Sequence, residues 1–212
     1  MGQPARRIVV TGGSSGIGLA LCRQLVVDRG CHVYLGSRSE ERGAVAVAAI
    51  LEAAPADAAA RLELLRIDTT SDESVGAAAA IVAASLGGAT LYALVNNAGC
   101  GLAHGVAGEV VLDTNLHGAK RVVDAFAPLL QSDGARIVNV GSGAGPMYIA
   151  TVPNKAKKML CSADVTWAEI DRHARERMEK ASFAADRGAR GPYGLSKVRT
   201  CPPDAPRRSF AC

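Results

Sequence analysis

The sequence is poor in aromatic residues, with three Phe, four Tyr and one Trp among 212 positions. Little is available to stack on bases, and a net charge of +4 is too small to mark a phosphate-tracking surface, so nucleic acid is not an expected partner. No apolar run approaches the length of a membrane span, and the stretch from Met1 to Arg7 has neither the apolar segment of a secretory leader nor a myristoylation signal, Arg6 standing where Ser or Thr is needed. No membrane partner is expected. Cys22, Cys31, Cys100, Cys161, Cys201 and Cys212 include no C-x-x-C pair, which leaves a metal site without support. They read as reduced thiols of a soluble, cytoplasmic protein.

What is present is a chain of 212 residues, 49% hydrophobic, large enough for one domain with a sizeable core. Its most specific stretch is Thr11-Gly12-Gly13-Ser14-Ser15-Gly16-Ile17-Gly18, between the apolar run Ile8-Val9-Val10 and an apolar stripe of helical period. Glycines at this spacing let the backbone turn out of a strand, approach a ligand closely and pack the next helix on the sheet. The first helical N–H groups then face an anion. Taken alone, the turn also fits an ordinary βα loop.

Strand and helix signals alternate from there. Ile17, Leu21 and Leu25 mark a helix ending near Gly30, and His32-Val33-Tyr34-Leu35-Gly36 reads as the second strand. Arg38 follows, with no carboxylate at Gly36 or Ser37; an arginine here can pair with a ribose 2′-phosphate, or be a solvated loop residue. Ser37 with Glu40 and Thr70 with Glu73 are capping-box candidates for the next two helices, and the strand Leu62 to Ile67 between them ends at Asp68. Leu91 to Val95 is the fourth strand, running into Asn96-Asn97-Ala98-Gly99. A long helix is predicted from about Glu109 to Leu130, with Asn115 interrupting it, and Arg136 to Val140 is the fifth strand, with Ser142 at its carboxyl end. The fold class is therefore α/β, a doubly wound parallel sheet of Rossmann type.

Residues 146 to 190 break the rhythm as a helical insertion. Trp167, Ile170, Ala174 and Met178 form an apolar stripe flanked by Asp171/Arg175 and Glu176/Lys180, an amphipathic helix whose apolar side needs either its own domain or a second subunit. Tyr193 and Lys197 then stand four apart, on one face if they open a helix.

The turn at Thr11 to Gly18, Asp68, Asn96 to Gly99, Asn115, Ser142 and the Tyr193/Lys197 pair occur in the order and elements of the short-chain dehydrogenase/reductase family, which the chain resembles over roughly residues 7 to 198. The 50 residues between Ser142 and Tyr193, together with Arg38, resemble the carbonyl-reductase branch, commonly monomeric. The resemblance implies hydride transfer between NADP(H), rather than NAD(H), and a small carbonyl or alcohol substrate. It implies that Tyr193 is the general acid or base, that Lys197 lowers the phenol pKa and holds the nicotinamide ribose, that Ser142 hydrogen-bonds the substrate oxygen, and that Asn115 holds a relay water. Thr11, Gly12, Ser14, Ser15, Gly16, Ile17 and Gly18 would form the diphosphate turn. Arg38 would meet the 2′-phosphate, Asp68 the adenine, and Asn96, Ala98 and Gly99 the rest of the cofactor. Singly, Ser142 also fits a turn hydroxyl, Asn115 a helix-bending residue, and Tyr193 and Lys197 a helix surface.

From Arg199 to Cys212 the chain departs from the family's pattern, which continues a helix and adds two strands. Pro202 and Pro203 cannot continue a helix, no strand pattern follows, and the fifth strand is expected to be a bare sheet edge. An irregular tail of this kind suggests a frameshift, a splice variant or a mispredicted exon. The alternative function is a catalytically silent dinucleotide-binding domain or non-productive fragment.

Overall fold

The computed structural model describes residues 5–101, 105–198 and 210–211. They divide into a sheet unit (5–98, 121–139 and 210–211) and a helical unit (99–101, 105–120 and 140–198).

The sheet unit carries β1 (Arg7–Val10), β2 (His32–Ser37), β3 (Leu62–Arg66), β4 (Ala93–Asn96), β5 (Arg136–Asn139) and β6 (Phe210–Ala211) in the order β3-β2-β1-β4-β5-β6, every pair parallel. α1 (Gly16–Val27), α2 (Glu40–Glu52) and α3 (Asp72–Leu86) join the first four strands. Val9, Val10, Val33, Leu35, Leu94 and Ile137 have no exposed surface, as expected of strands covered on both faces. Burial of each such side chain is worth about 1.5–3 kcal/mol. The strand order reverses between β1 and β4, and open α/β sheets bind ligands at the carboxyl end of such a switch.

Four readings change. Ser39, not Ser37, caps α2 by accepting from the Arg42 N–H at 3.2 Å, while the buried Ser37 hydroxyl donates to the Ser39 carbonyl. Ser71, not Thr70, caps α3 through the Ser74 N–H, because the Thr70 hydroxyl is turned back onto Asp68. The fifth strand is not bare: Phe210 and Ala211 pair beside Ile137 and Val138. Residues 199–209 and 212, including Cys201, Pro202, Pro203 and Cys212, lie outside the described residues.

In place of one helix from Glu109 to Leu130, the chain forms α4 (Gly108–Leu112), a π turn (Asp113–His117), α5 (Gly118–Phe126) and a 3-10 turn (Ala127–Leu129). Pro128 has no N–H to continue the α-helical ladder. The insertion is a run of short helices, α6 (Ala144–Thr151), α7 (Asn154–Leu160), α8 (Trp167–Met178) and α9 (Ala181–Ala184), before α10 (Pro192–Ser196). Ile170 and Ala174 of α8 are buried with Leu112, Leu116, Tyr148 and Leu195, so the apolar stripe is covered by its own chain. Thr166 and Glu169 close a capping box at the start of α8.

Candidate active site

In the sheet unit, the turn after β1 is held by one hydroxyl. Thr11 Oγ1 accepts from the N–H groups of Asn97 (3.1 Å) and Ala98 (3.0 Å), and donates to the Val95 carbonyl at 3.3 Å. Asn97 Nδ2 returns two bonds, to the carbonyls of Thr11 (2.9 Å) and Gly12 (3.1 Å). The first turn and the segment after β4 are thereby one body. Gly12 has φ +65°, and a Cβ there would stand 2.9 Å from the Ala98 Cα. A Cβ on Gly18 would strike the Gly12 carbonyl and the Asn97 amide. Gly16, at φ +53°, faces open space.

α1 starts with Ser15 in extended backbone making no side-chain cap, with no acidic residue in the first turn, and with Ile17 71% exposed. Ser14 is half-buried and Ser15 exposed. An uncapped, acid-free helix start of this kind suits a diphosphate.

Arg38 is exposed just beyond β2. Asp68 Oδ1 accepts from the Thr70 N–H (3.0 Å) and hydroxyl (2.7 Å). Burial pushes the Asp68 carboxyl up, but the Thr70 bonds and the charges of Arg38 and Arg121 outweigh it, leaving the group below the usual carboxylate value. Asn96 is 7% exposed; its Nδ2 donates to Asn139 Oδ1 at 2.9 Å, and its own buried Oδ1 has no partner among the described residues.

In the helical unit, Pro192 occupies the first turn of α10, where its missing N–H costs nothing, and Tyr193 and Lys197 follow. Lys197 Nζ lies 5.9 Å from the Tyr193 ring centre and donates to the Val140 carbonyl at 3.1 Å. Burial pulls the ammonium below the ordinary lysine value, and Cys100 works in the opposite direction. Gly99 brings bare backbone to this cluster: a Cβ there would lie 3.6 Å from Lys197 Nζ and 3.1 Å from Asn115 Oδ1. Gly101 does the same for the Tyr193 ring, which a Cβ would overlap.

The Asn115 side chain is fully engaged. Its Oδ1 accepts from the Cys100 N–H at 2.8 Å, and its Nδ2 donates to the Cys100 carbonyl (2.7 Å) and to Ser196 Oγ (3.1 Å). Ser196 Oγ itself donates to the Tyr193 carbonyl at 2.8 Å. Asn115 therefore bridges the segment after Gly99 to the Tyr193 helix. Ser142, half-buried, accepts from the Ala144 N–H at 3.2 Å and opens α6, whose Gly145 fits against the Lys197 carbonyl.

Five named residues thus share the helical unit (Gly99, Asn115, Ser142, Tyr193 and Lys197), while Thr11 to Gly18, Arg38, Asp68, Asn96 and Ala98 belong to the sheet unit. Sequence reasoning passed over Asn97, Cys100 and Ser196. Asn97 adjoins Asn96 in the sequence, and only pairing geometry tells the two apart. Among the described residues, no cluster of three or more His, Cys, Asp or Glu could hold a metal, no helix is long and apolar enough to cross a membrane, and Cys22, Cys31, Cys100 and Cys161 are free thiols.

The family model described as short chain dehydrogenase matches residues 6–156. The (+)-neomenthol dehydrogenase of Arabidopsis thaliana is 35% identical over 196 residues, covering 80% of this chain and 64% of that protein. Short-chain dehydrogenase/reductase 1 of Saponaria officinalis is 34% identical over 167 residues, 66% of this chain and 54% of its own length. The chain thus spans less than two thirds of either relative. Among solved structures, menthone neomenthol reductase from Mentha piperita superposes with a TM-score of 0.74 at 26% identity, covering 92% of this chain and 81% of that one.

Proposed function

Since this chain belongs to the short-chain dehydrogenase family, we propose that it is an NADP(H)-dependent carbonyl reductase or alcohol dehydrogenase with Tyr193 as its proton donor. The observation that carries the reading is the half-buried Lys197 ammonium 5.9 Å from the Tyr193 ring. A free phenol titrates near ~10, too high for acid–base work at neutral pH. The Lys197 cation would attract the negative charge that develops on the Tyr193 oxygen as it gives up its proton.

The residues present fit a dinucleotide. The Gly12 and Gly18 cradle has no room for a Cβ, the start of α1 is uncapped, and a buried Asn96 oxygen awaits a donor. When bound, the nicotinamide supplies or accepts the hydride. Thr11, Ser14, Ser15, Gly16 and Ile17 would hold the diphosphate, Asp68, Asn96 and Ala98 the adenosine side, and Gly99 would let the ribose approach Lys197. Arg38 would meet the 2′-phosphate, since buried Ser37, with its hydroxyl turned to Ser39, offers no carboxylate to a ribose. Tyr193 would deliver its proton to the substrate oxygen, Ser142 would hold that oxygen, and Lys197 would be re-protonated through water ordered near Asn115. Asn115 itself is a positioning residue, its amide already engaged. The covered face of α8 supports a monomer, and the free thiols support a reducing, cytoplasmic setting.

The test is NADPH oxidation with a panel of aldehydes and ketones. Tyr193→Phe is expected to keep NADPH binding and lose about 10²–10⁴-fold in kcat. Unchanged turnover in that variant overturns the mechanism. Arg38→Ala is expected to weaken NADPH about tenfold or more and leave NADH unaffected; equal effects on both overturn the cofactor assignment.

A further inference from the structure

Helix α10 does not close the turn after Tyr193 in the α-helical way. The regular partner of the Tyr193 carbonyl is the Lys197 N–H, four residues on, and that N–H donates instead to the Gly194 carbonyl at 3.1 Å. The released carbonyl accepts from Ser196 Oγ at 2.8 Å. Ser196 has no exposed surface, so bulk solvent cannot supply this bond in its place.

A serine hydroxyl has one proton and two lone pairs. With the proton on the Tyr193 carbonyl, Ser196 Oγ can only accept from Asn115 Nδ2, which lies at 3.1 Å. This fixes which end of the Asn115 amide faces α10. The nitrogen turns to Ser196 and the Cys100 carbonyl, and the oxygen to the Cys100 N–H. The reversed amide would set its oxygen against two acceptors and its nitrogen against a donor. Asn115 belongs to the π turn, and Ser196 directly precedes Lys197, so one hydroxyl spans both.

We infer that Ser196 is a positioning residue: its hydroxyl joins the π turn carrying Asn115 to the turn carrying Tyr193 and Lys197, and so sets the register of these three side chains. The inference rests on the reading of Tyr193 given above and adds to it the residue that aims the phenol.

The test pairs kinetics with a readout that needs no turnover. Ser196→Ala removes the hydroxyl and is expected to lose about 10²-fold in kcat, with the KM for NADPH unchanged. Ser196→Thr, which keeps the hydroxyl, is expected to recover most of that loss. In protein with ¹³C-labelled tyrosine, the Tyr193 ring signal is identified by its absence from Tyr193→Phe. It is expected to shift or broaden in Ser196→Ala, while the signals of Tyr34 and Tyr92 in the sheet unit stay in place. An unmoved Tyr193 signal, movement of all four tyrosine signals together, a loss carried by KM alone, or a folded Ser196→Thr no better than Ser196→Ala overturns the inference. A Tyr193 signal that moves alone in a chain without reductase activity upholds the positioning role and counts against the Tyr193 mechanism only.

Discussion

Lys197 holds its ammonium 5.9 Å from the centre of the Tyr193 ring while donating to the Val140 carbonyl at 3.1 Å. No carboxylate is among the causes of its shift; burial leads them and disfavours the charged form. A cation held in this way costs the folded chain stability.

Replacing that charge separates stability from turnover. In the folded chain Lys197 holds its proton less tightly than in the unfolded one, so its penalty is full below its folded pKa and is lifted as pH climbs toward 10.5. Lys197→Met is expected to abolish turnover yet raise the melting temperature near neutral pH, with the gain shrinking toward pH 10.5. Melting curves at several pH values check this, and a variant less stable than the parent at neutral pH contradicts it.

The Thr11 hydroxyl is the joint between the glycine-rich turn and the segment after β4. Thr11→Val keeps the shape and leaves the N–H groups of Asn97 and Ala98 without their acceptor. The expected cost is about 1–3 kcal/mol per buried unsatisfied group, read from urea unfolding, together with weaker NADPH binding. A change below the error of the fit would mean that water replaces the hydroxyl.

Three of the turn's four glycines, Gly12, Gly16 and Gly18, are not equivalent. Gly18→Ala drives a methyl into the Gly12 carbonyl and the Asn97 amide, and Gly12→Ala combines φ +65° with a close approach to Ala98. Both are expected to lose cofactor binding and several kcal/mol of stability, on the order of a cavity-overpacking change or more. Gly16→Ala has φ +53° but open space, so its cost is about 1–2 kcal/mol of backbone strain alone. Equal destabilisation in all three would show that backbone conformation, not space, governs the turn.

Much of the sheet unit was legible because its signals are local. An apolar run, a glycine turn and a helical stripe each lie within a dozen residues, and β1 to β5 fall within two residues of their expected ends. Caps differ by one or two residues because Ser37 and Ser39, or Thr70 and Ser71, compete for one role, and bonds two residues along the chain, to the Ser39 carbonyl and to Asp68, decide. Within the insertion only α8 showed a clean stripe; α6, α7 and α9, at four to eight residues, are too short for a period to register. Asn115 was legible as a residue and opaque as a contact. Its bonds to Cys100 and Ser196 span 15 and 81 residues, distances over which no spacing rule operates.

The Tyr148–His173 pair gives the helical unit its own pH dependence. Tyr148 has no exposed surface and burial raises its phenol, so it stays protonated and shares a hydrogen bond of 3.0 Å with His173 Nε2. Burial first, then the positive charges of Arg177 and Lys180, hold the imidazole below its ordinary 6.5, with Glu176 opposing. The unfolded chain therefore takes up a proton near 6.5 that the folded chain refuses. Stability is whole above that value, falls as pH drops through it, and levels only below the folded pKa. Asp171 and Glu169, whose carboxyls are both lowered, act in a separate window, beginning at 3.8 and 4.5 and extending downward. His173→Gln keeps an acceptor for Tyr148 and removes the proton, so its melting temperature is expected to stay flat from about pH 7 to about pH 5 while that of the parent declines. Parallel declines in both proteins across that interval would assign the loss to another group.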